Sequence, residues 1–199
     1  MDITLVGSKG LLLKGKNCLV ALEPTDENAQ VLPGAAKADV VLVSEALKQI
    51  NGEKMNTEDV KIFTWPGEYE VKGTSIQAIP LNSDVKDIEN KLIFVINMDT
   101  FRICYIPDLK KELHSDLIER IGDVDILVFP IGFDQKIITS TLEEVEPKAV
   151  LPLQRNENIG GFEDLVKSLG SPMVEDKEKI SITSKANFSN ERMEILALK

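Results

Sequence analysis

The chain has 199 residues, 43% hydrophobic and 28% charged, with a formal net charge of −10 at pH 7. That length supports one substantial core or at most two small ones, and the acidic balance argues against nucleic acid or an anionic membrane as partner. No Lys/Arg run exceeds two residues, and no apolar segment nears the roughly 18 residues a membrane span requires. The start, Met1–Gly10, lacks the basic and then apolar order of a signal peptide. The expectation is a single cytoplasmic domain over residues 1–199.

In chain order, Asp2–Val6, Gly10–Lys14 and Cys18–Leu22 read as a meander of short strands. Gly10-x-x-x-x-Gly15-Lys16 has the spacing of a phosphate-binding loop. However, Asn17 stands where Ser or Thr should, and Leu11–Leu13 favours a strand whose amides pair in a sheet. Val40–Val43 is a short, β-branched, unbroken apolar run, as expected of a buried strand. Asp59–Phe63, Trp65–Val71 and Thr74–Pro80 alternate in strand fashion, with turns at Pro66-Gly67 and Lys72-Gly73. An acidic loop, Asn82–Asn90, precedes a hairpin of Leu92–Met98 and Arg102–Ile106 across Asp99-Thr100.

The second half alternates strand and helix. Ser115 is the expected N-cap of a short helix ended by Gly122, and Asp125–Phe129 a buried strand. Ser140 and Glu143 have capping-box spacing for a brief helix stopped before Pro147. Lys148–Leu153 is a further strand, Gly161–Leu169 a helix ended by Gly170, and Lys179–Thr183 and Arg192–Leu198 are late strands. Strands first, then strand and helix in alternation, predict two packed sheets with helices outside. Cys18 and Cys104 sit in apolar runs and read as buried reduced thiols.

Several landmarks together resemble the metallo-β-lactamase superfamily, in its ascorbate-6-phosphate-lactonase-like branch. They are Ala38–Ser44, Pro66–Gly73, Gly122–Leu127, Cys104–Asp108, Glu146–Lys148 and Leu151–Gln154. The resemblance implies an α+β, αββα sandwich of two mixed or antiparallel sheets, with a metal site at one edge. It also implies a His-x-His-x-Asp-His loop after the Val40–Val43 strand. Here those positions read Ser44, Ala46, Lys48 and Gln49, and Lys48 puts a cation where a metal ion would sit. Other family histidines correspond to Ser8, to the loop bearing Leu81, Asn82, Ser83 and Asp84, and to Gln154. The bridging acid corresponds to Asp108, and an acid ending the third strand to Glu23.

A catalytic zinc needs three protein donors from His, Cys or carboxylate, plus an open position. Of the matched positions only Asp108 is a strong donor, with Glu23 and Asp84 as helpers for a hard cation such as magnesium or calcium. The single histidine, His114, falls outside the family positions and reads as a solvated loop residue. The pairs Glu68/Glu70 and Glu143/Glu144 read as solvated faces, with a structural hydrogen bond as the first expectation for Glu68. Trp65 reads as a core or rim residue.

The leading expectation is therefore a pseudoenzyme with no cofactor: a binding or interaction module associating with itself or with an active relative. Two alternatives stand beside it. One is a metal-dependent hydrolase of a phosphoester or lactone using a rearranged oxygen site at Asp108. The other is a sensor for a small anionic ligand held near Lys48.

Overall fold

Among the described residues, thirteen strands build two mixed sheets packed face to face. The computed structural model describes residues 1–7, 10–25, 30–45, 60–82, 91–153, 160–171, 175–189 and 192–199. The first sheet contains β1 (Asp2–Val6), β2 (Gly10–Lys14), β3 (Leu19–Leu22), β4 (Val40–Leu42), β5 (Lys61–Phe63) and β12 (Lys179–Ser181), in the order β12-β1-β2-β3-β4-β5. The second contains β6 (Gly67–Val71), β7 (Thr74–Pro80), β8 (Leu92–Met98), β9 (Phe101–Tyr105), β10 (Ile126–Pro130), β11 (Ala149–Leu153) and β13 (Glu194–Ile195). Its order is β13-β11-β10-β9-β8-β7-β6.

The antiparallel parts are hairpins and the parallel parts are crossovers. Lys72 and Gly73 both take positive φ, 50° and 76°, the two-residue loop whose twist matches strands β6 and β7. In the second sheet β9, β10, β11 and β13 run parallel, and the crossovers from β9 to β11 carry α1 (Ser115–Ile121) and α2 (Gln135–Val145). A third helix, α3 (Gly160–Ser168), follows β11.

Alternate residues of one strand serve different layers. Phe94 and Ile96 point between the sheets, where they meet Leu13, Val20 and Leu42. Ile93 and Val95 point outward, into a second core with Leu117 and Ile121 of α1, Ile138 and Leu142 of α2, and Leu165 of α3. On the far side, Val41 packs under Val31, Ala35 and Ala38. With both faces covered, β4, β8 and β10 read as unbroken apolar runs rather than alternating ones. Each fully buried Leu, Ile or Phe contributes about 1.5–3 kcal/mol relative to exposure.

The expected α+β sandwich is thus observed, with local corrections. Ser115 is the first helical residue of α1 and His114 the cap, with no side-chain cap bond. Ser140 lies inside α2, which starts earlier because the Asp134 carboxylate accepts the Lys136 amide at 2.8 Å. Glu146 takes a left-handed conformation and ends that helix ahead of Pro147. The final strand is confined to Glu194–Ile195. Gly10–Lys14 is a strand, so its amides are engaged in the ladder with β1 and β3. Cys18 and Cys104 are buried free thiols. Among the described residues no helix is long and apolar enough to cross a membrane.

This topology decides where a site can form. Strands β3, β4 and β5 are parallel, as are β9, β10, β11 and β13. The Leu92 amide donates to the Ser44 carbonyl at 2.8 Å, and Glu45 bridges to Lys91, so the end of β4 meets the start of β8. Because β8 is antiparallel to β9, the start of β8 lies beside the end of β9. The carboxyl ends of both parallel sets therefore share one edge of the sandwich, the usual position for a ligand crevice beside parallel strands.

Candidate functional site

Asp108 sits at that edge, just beyond β9, and is only 7% exposed. Its backbone neighbour closes a local turn: the Lys110 amide donates to Asp108 Oδ1 at 3.2 Å. The other oxygen, Oδ2, faces two cations, with Lys91 Nζ at 3.3 Å and Lys110 Nζ at 3.4 Å. Lys91 is largely buried, so its pairing is shielded from solvent. Lys110 is 76% exposed and its contact is correspondingly weak. A cavity of about 280 Å³ opens beside this cluster. Lys91, Lys110, Lys111 and His114 line it, over a floor that includes Leu113 and Leu117.

Glu23 lies on the first sheet's side of the same edge. It takes a left-handed conformation, φ 49°, and its Oε1 accepts the Ser44 amide at 2.7 Å. That oxygen holds the backbone where β4 ends. Of the other positions aligned with the family's metal loop, Ser8, Ala46, Lys48, Gln49, Ser83, Asp84 and Gln154 lie outside the described residues. Ser44 is buried, and Leu81 and Asn82 also line the cavity.

Sequence reasoning singled out Asp108 but missed its basic surroundings. His114 is exposed, as expected, yet it lines the cavity. Glu68 and Glu70 lie on the exposed side of β6, and Glu143 and Glu144 on the exposed side of α2. Trp65 is a rim residue at 59% exposure.

The donors described can be tested directly against a metal ion. Among the described residues no three His, Cys, Asp or Glu side chains come together as a metal-holding group. Asp108 offers its free lone pairs at an oxygen already facing two ammonium groups. Like charges ~4 Å apart repel by about 4 kcal/mol per unit pair in an environment of intermediate polarity. These donors do not fit a catalytic zinc, which wants three ligands and no competing cation.

A second buried carboxylate occupies the opposite edge. Asp125, 3% exposed, receives Lys148 Nζ at 2.8 Å on Oδ1, and Lys185 Nζ at 2.7 Å and the Arg102 amide at 2.9 Å on Oδ2. Burial alone would raise this carboxyl, but the bonds from Lys148, Lys185 and the Arg102 amide outweigh it and hold the group below the usual carboxylate range. Cys104, packed against the helices, is pushed far up by burial.

The class of protein follows from this architecture and from comparison with known proteins. The model for the beta-lactamase superfamily domain matches residues 2–154, and the chain belongs to the metallo-β-lactamase superfamily. No curated protein matches the sequence. Solved structures share the fold. A provisionally designated Zn-dependent hydrolase of the superfamily from Thermotoga maritima aligns at TM-score 0.71 and 20% identity, covering 100% of this chain and 99% of that one. Igni18, a metallo hydrolase from Ignicoccus hospitalis, aligns at TM-score 0.60 and 14% identity, covering 92% and 98%. The short form of human tRNase Z aligns at TM-score 0.57 and 9% identity, covering 92% and 100%. At such identities the likeness is one of fold alone.

Proposed function

We propose that this chain is a non-catalytic binding module built on the metallo-β-lactamase fold. The observation that supports it is the pairing of Asp108, the acid aligned with the family's bridging ligand, with Lys91 and Lys110. A carboxylate shared between two lysines serves to hold a basic loop, whereas a metal ligand is kept clear of other cations. Several positions at which the family carries histidine hold Ser8, Ser44, Ala46, Gln49 and Gln154 in this sequence. With Asp108 as the one strong donor among the matched positions, no three-ligand centre forms to activate water or stabilise a leaving group.

A second reading, a metal-dependent hydrolase of a phosphoester or lactone, draws on the hydrolase designations of the Thermotoga and Ignicoccus proteins. The two diverge on turnover. Tag-free protein would be assayed with bis(p-nitrophenyl) phosphate and a simple γ-lactone, with added zinc or manganese and then with chelator. Turnover no faster in the chain than in its Asp108→Ala variant is expected. Metal-dependent turnover that Asp108→Ala abolishes would overturn the binding-module reading in favour of the hydrolase.

A further inference from the structure

We infer that the cavity beside Asp108 binds a small organic anion with an apolar body, such as an alkyl phosphate or an aliphatic carboxylate. This inference rests on the binding-module reading and names the class of ligand. Three features of the cavity carry it.

The first is charge. Among the described residues that line the cavity, three lysines, Lys91, Lys110 and Lys111, stand against two carboxylates, Asp108 and Glu112, a surplus of one positive charge. This surplus occurs in a chain whose net charge is −10. Asp108 already serves both Lys91 and Lys110 through a single oxygen, while among the described residues Lys111 pairs with no carboxylate. An anion entering here gains ammonium donors that the protein satisfies only in part.

The second is shape and polarity. The volume, about 280 Å³, lies near the lower end for small-molecule pockets. Leu113 and Leu117 are both 8% exposed and form an apolar floor beneath the lysines. A fully hydrated inorganic ion leaves that floor uncovered. A short alkyl chain covers it and gains about 0.8 kcal/mol per buried methylene.

The third is preorganisation. The backbone of Lys91 is fixed by its pairing with Glu45 and Leu81, and its ammonium is held by Asp108 Oδ2 at 3.3 Å before a ligand arrives. The Asp108 turn sets the path of the backbone into Lys110 and Lys111. His114 caps α1 at the rim and supplies a further ring nitrogen as donor. Asp108 thus acts as a positioning residue for the lysines.

Calorimetric titration of the full chain tests this with three probes: inorganic phosphate, hexyl phosphate and hexanoate. Hexyl phosphate is expected to bind at least about tenfold more tightly than inorganic phosphate, since the floor contributes only to the former. The double variant Lys110→Ala/Lys111→Ala, altered at exposed positions that leave the core untouched, is expected to lose about tenfold in affinity for hexyl phosphate. Lys91→Met tests the buried ammonium, and circular dichroism on each variant separates loss of binding from loss of fold. Binding of hexanoate but not of either phosphate would assign the site to carboxylates. Absence of binding by all three probes, or equal affinities in the folded variants, would overturn the inference. In that case absent metal-dependent turnover would still leave the binding-module reading standing, so the two fail separately.

Discussion

The two ends of the sandwich each bury an aspartate between lysines, yet the two clusters are built differently. At the amino ends of the parallel strands, Asp125 spreads its partners over both oxygens at 2.7–2.9 Å. It ties the starts of β9 and β11 to the segment bearing Lys185. At the carboxyl ends, Asp108 gathers both ammonium groups on one oxygen at 3.3–3.4 Å, beside a cavity. Short, divided and closed contacts stabilise a fold. Longer, shared contacts next to open space leave cationic capacity for something else. Burial and partner type alone do not separate structure from function, whereas the distribution of partners over the carboxylate does.

The largest expected effect of breaking this contrast falls on Asp125. Asp125→Ala strands the Arg102 amide and releases two half-exposed lysines, and should cost about 2–3 kcal/mol. For a chain of this size that is a fall in melting temperature of roughly 5–10 °C by calorimetry. Asp108→Asn keeps the local turn and removes a pairing that is in part exposed. It should shift stability by no more than about 1 kcal/mol. A larger loss at Asp108 than at Asp125 would reverse the assignment of the two ends.

The same cluster sets an acid dependence. The Asp125 carboxyl titrates lower in the folded chain than in the unfolded one, so the unfolded chain takes up more protons in acid. Asp39 follows the same sense: burial opposes it, but the Lys72 hydrogen bond and the Leu19 amide prevail. Their stabilisation is complete above about pH 5 and fades as the pH falls through the folded values, below an unfolded reference of about 3.9. The stability difference between the parent chain and Asp125→Ala should therefore be full at pH 6 and shrink by pH 3 in denaturant titrations. A constant difference across that range would remove the charge of Asp125 from the explanation.

The smallest effect concerns the thiols. Cys104 is wholly buried against the helical layer, and burial raises both it and Cys18. Neither should react with a maleimide on the timescale of minutes until denaturant is added, because the thiolate is the reactive form.

Much of the fold was legible because the strands are short apolar runs bounded by turn residues. Asp2–Val6, Gly10–Lys14, Thr74–Pro80 and Leu92–Met98 are found where the pattern put them. The start of α2 was not, since Asp134 caps the helix without the acid three residues on that completes a capping box. The site was half legible. Asp108 stood out in Pro107-Asp108 after a clear hairpin. Lys91, Lys110 and Lys111 carry no periodic or motif signal, and a net charge of −10 hid a local basic surplus. Their convergence depends on β8 returning beside β9, a tertiary fact no local spacing encodes.

The most direct test is metal stoichiometry by inductively coupled plasma mass spectrometry, on tag-free protein before and after exposure to zinc and manganese. The arrangement of lysines on Asp108 predicts metal far below one ion per chain under both conditions, and no change in Asp108→Ala. About one ion per chain, lost in Asp108→Ala, would contradict a binding module without a catalytic metal.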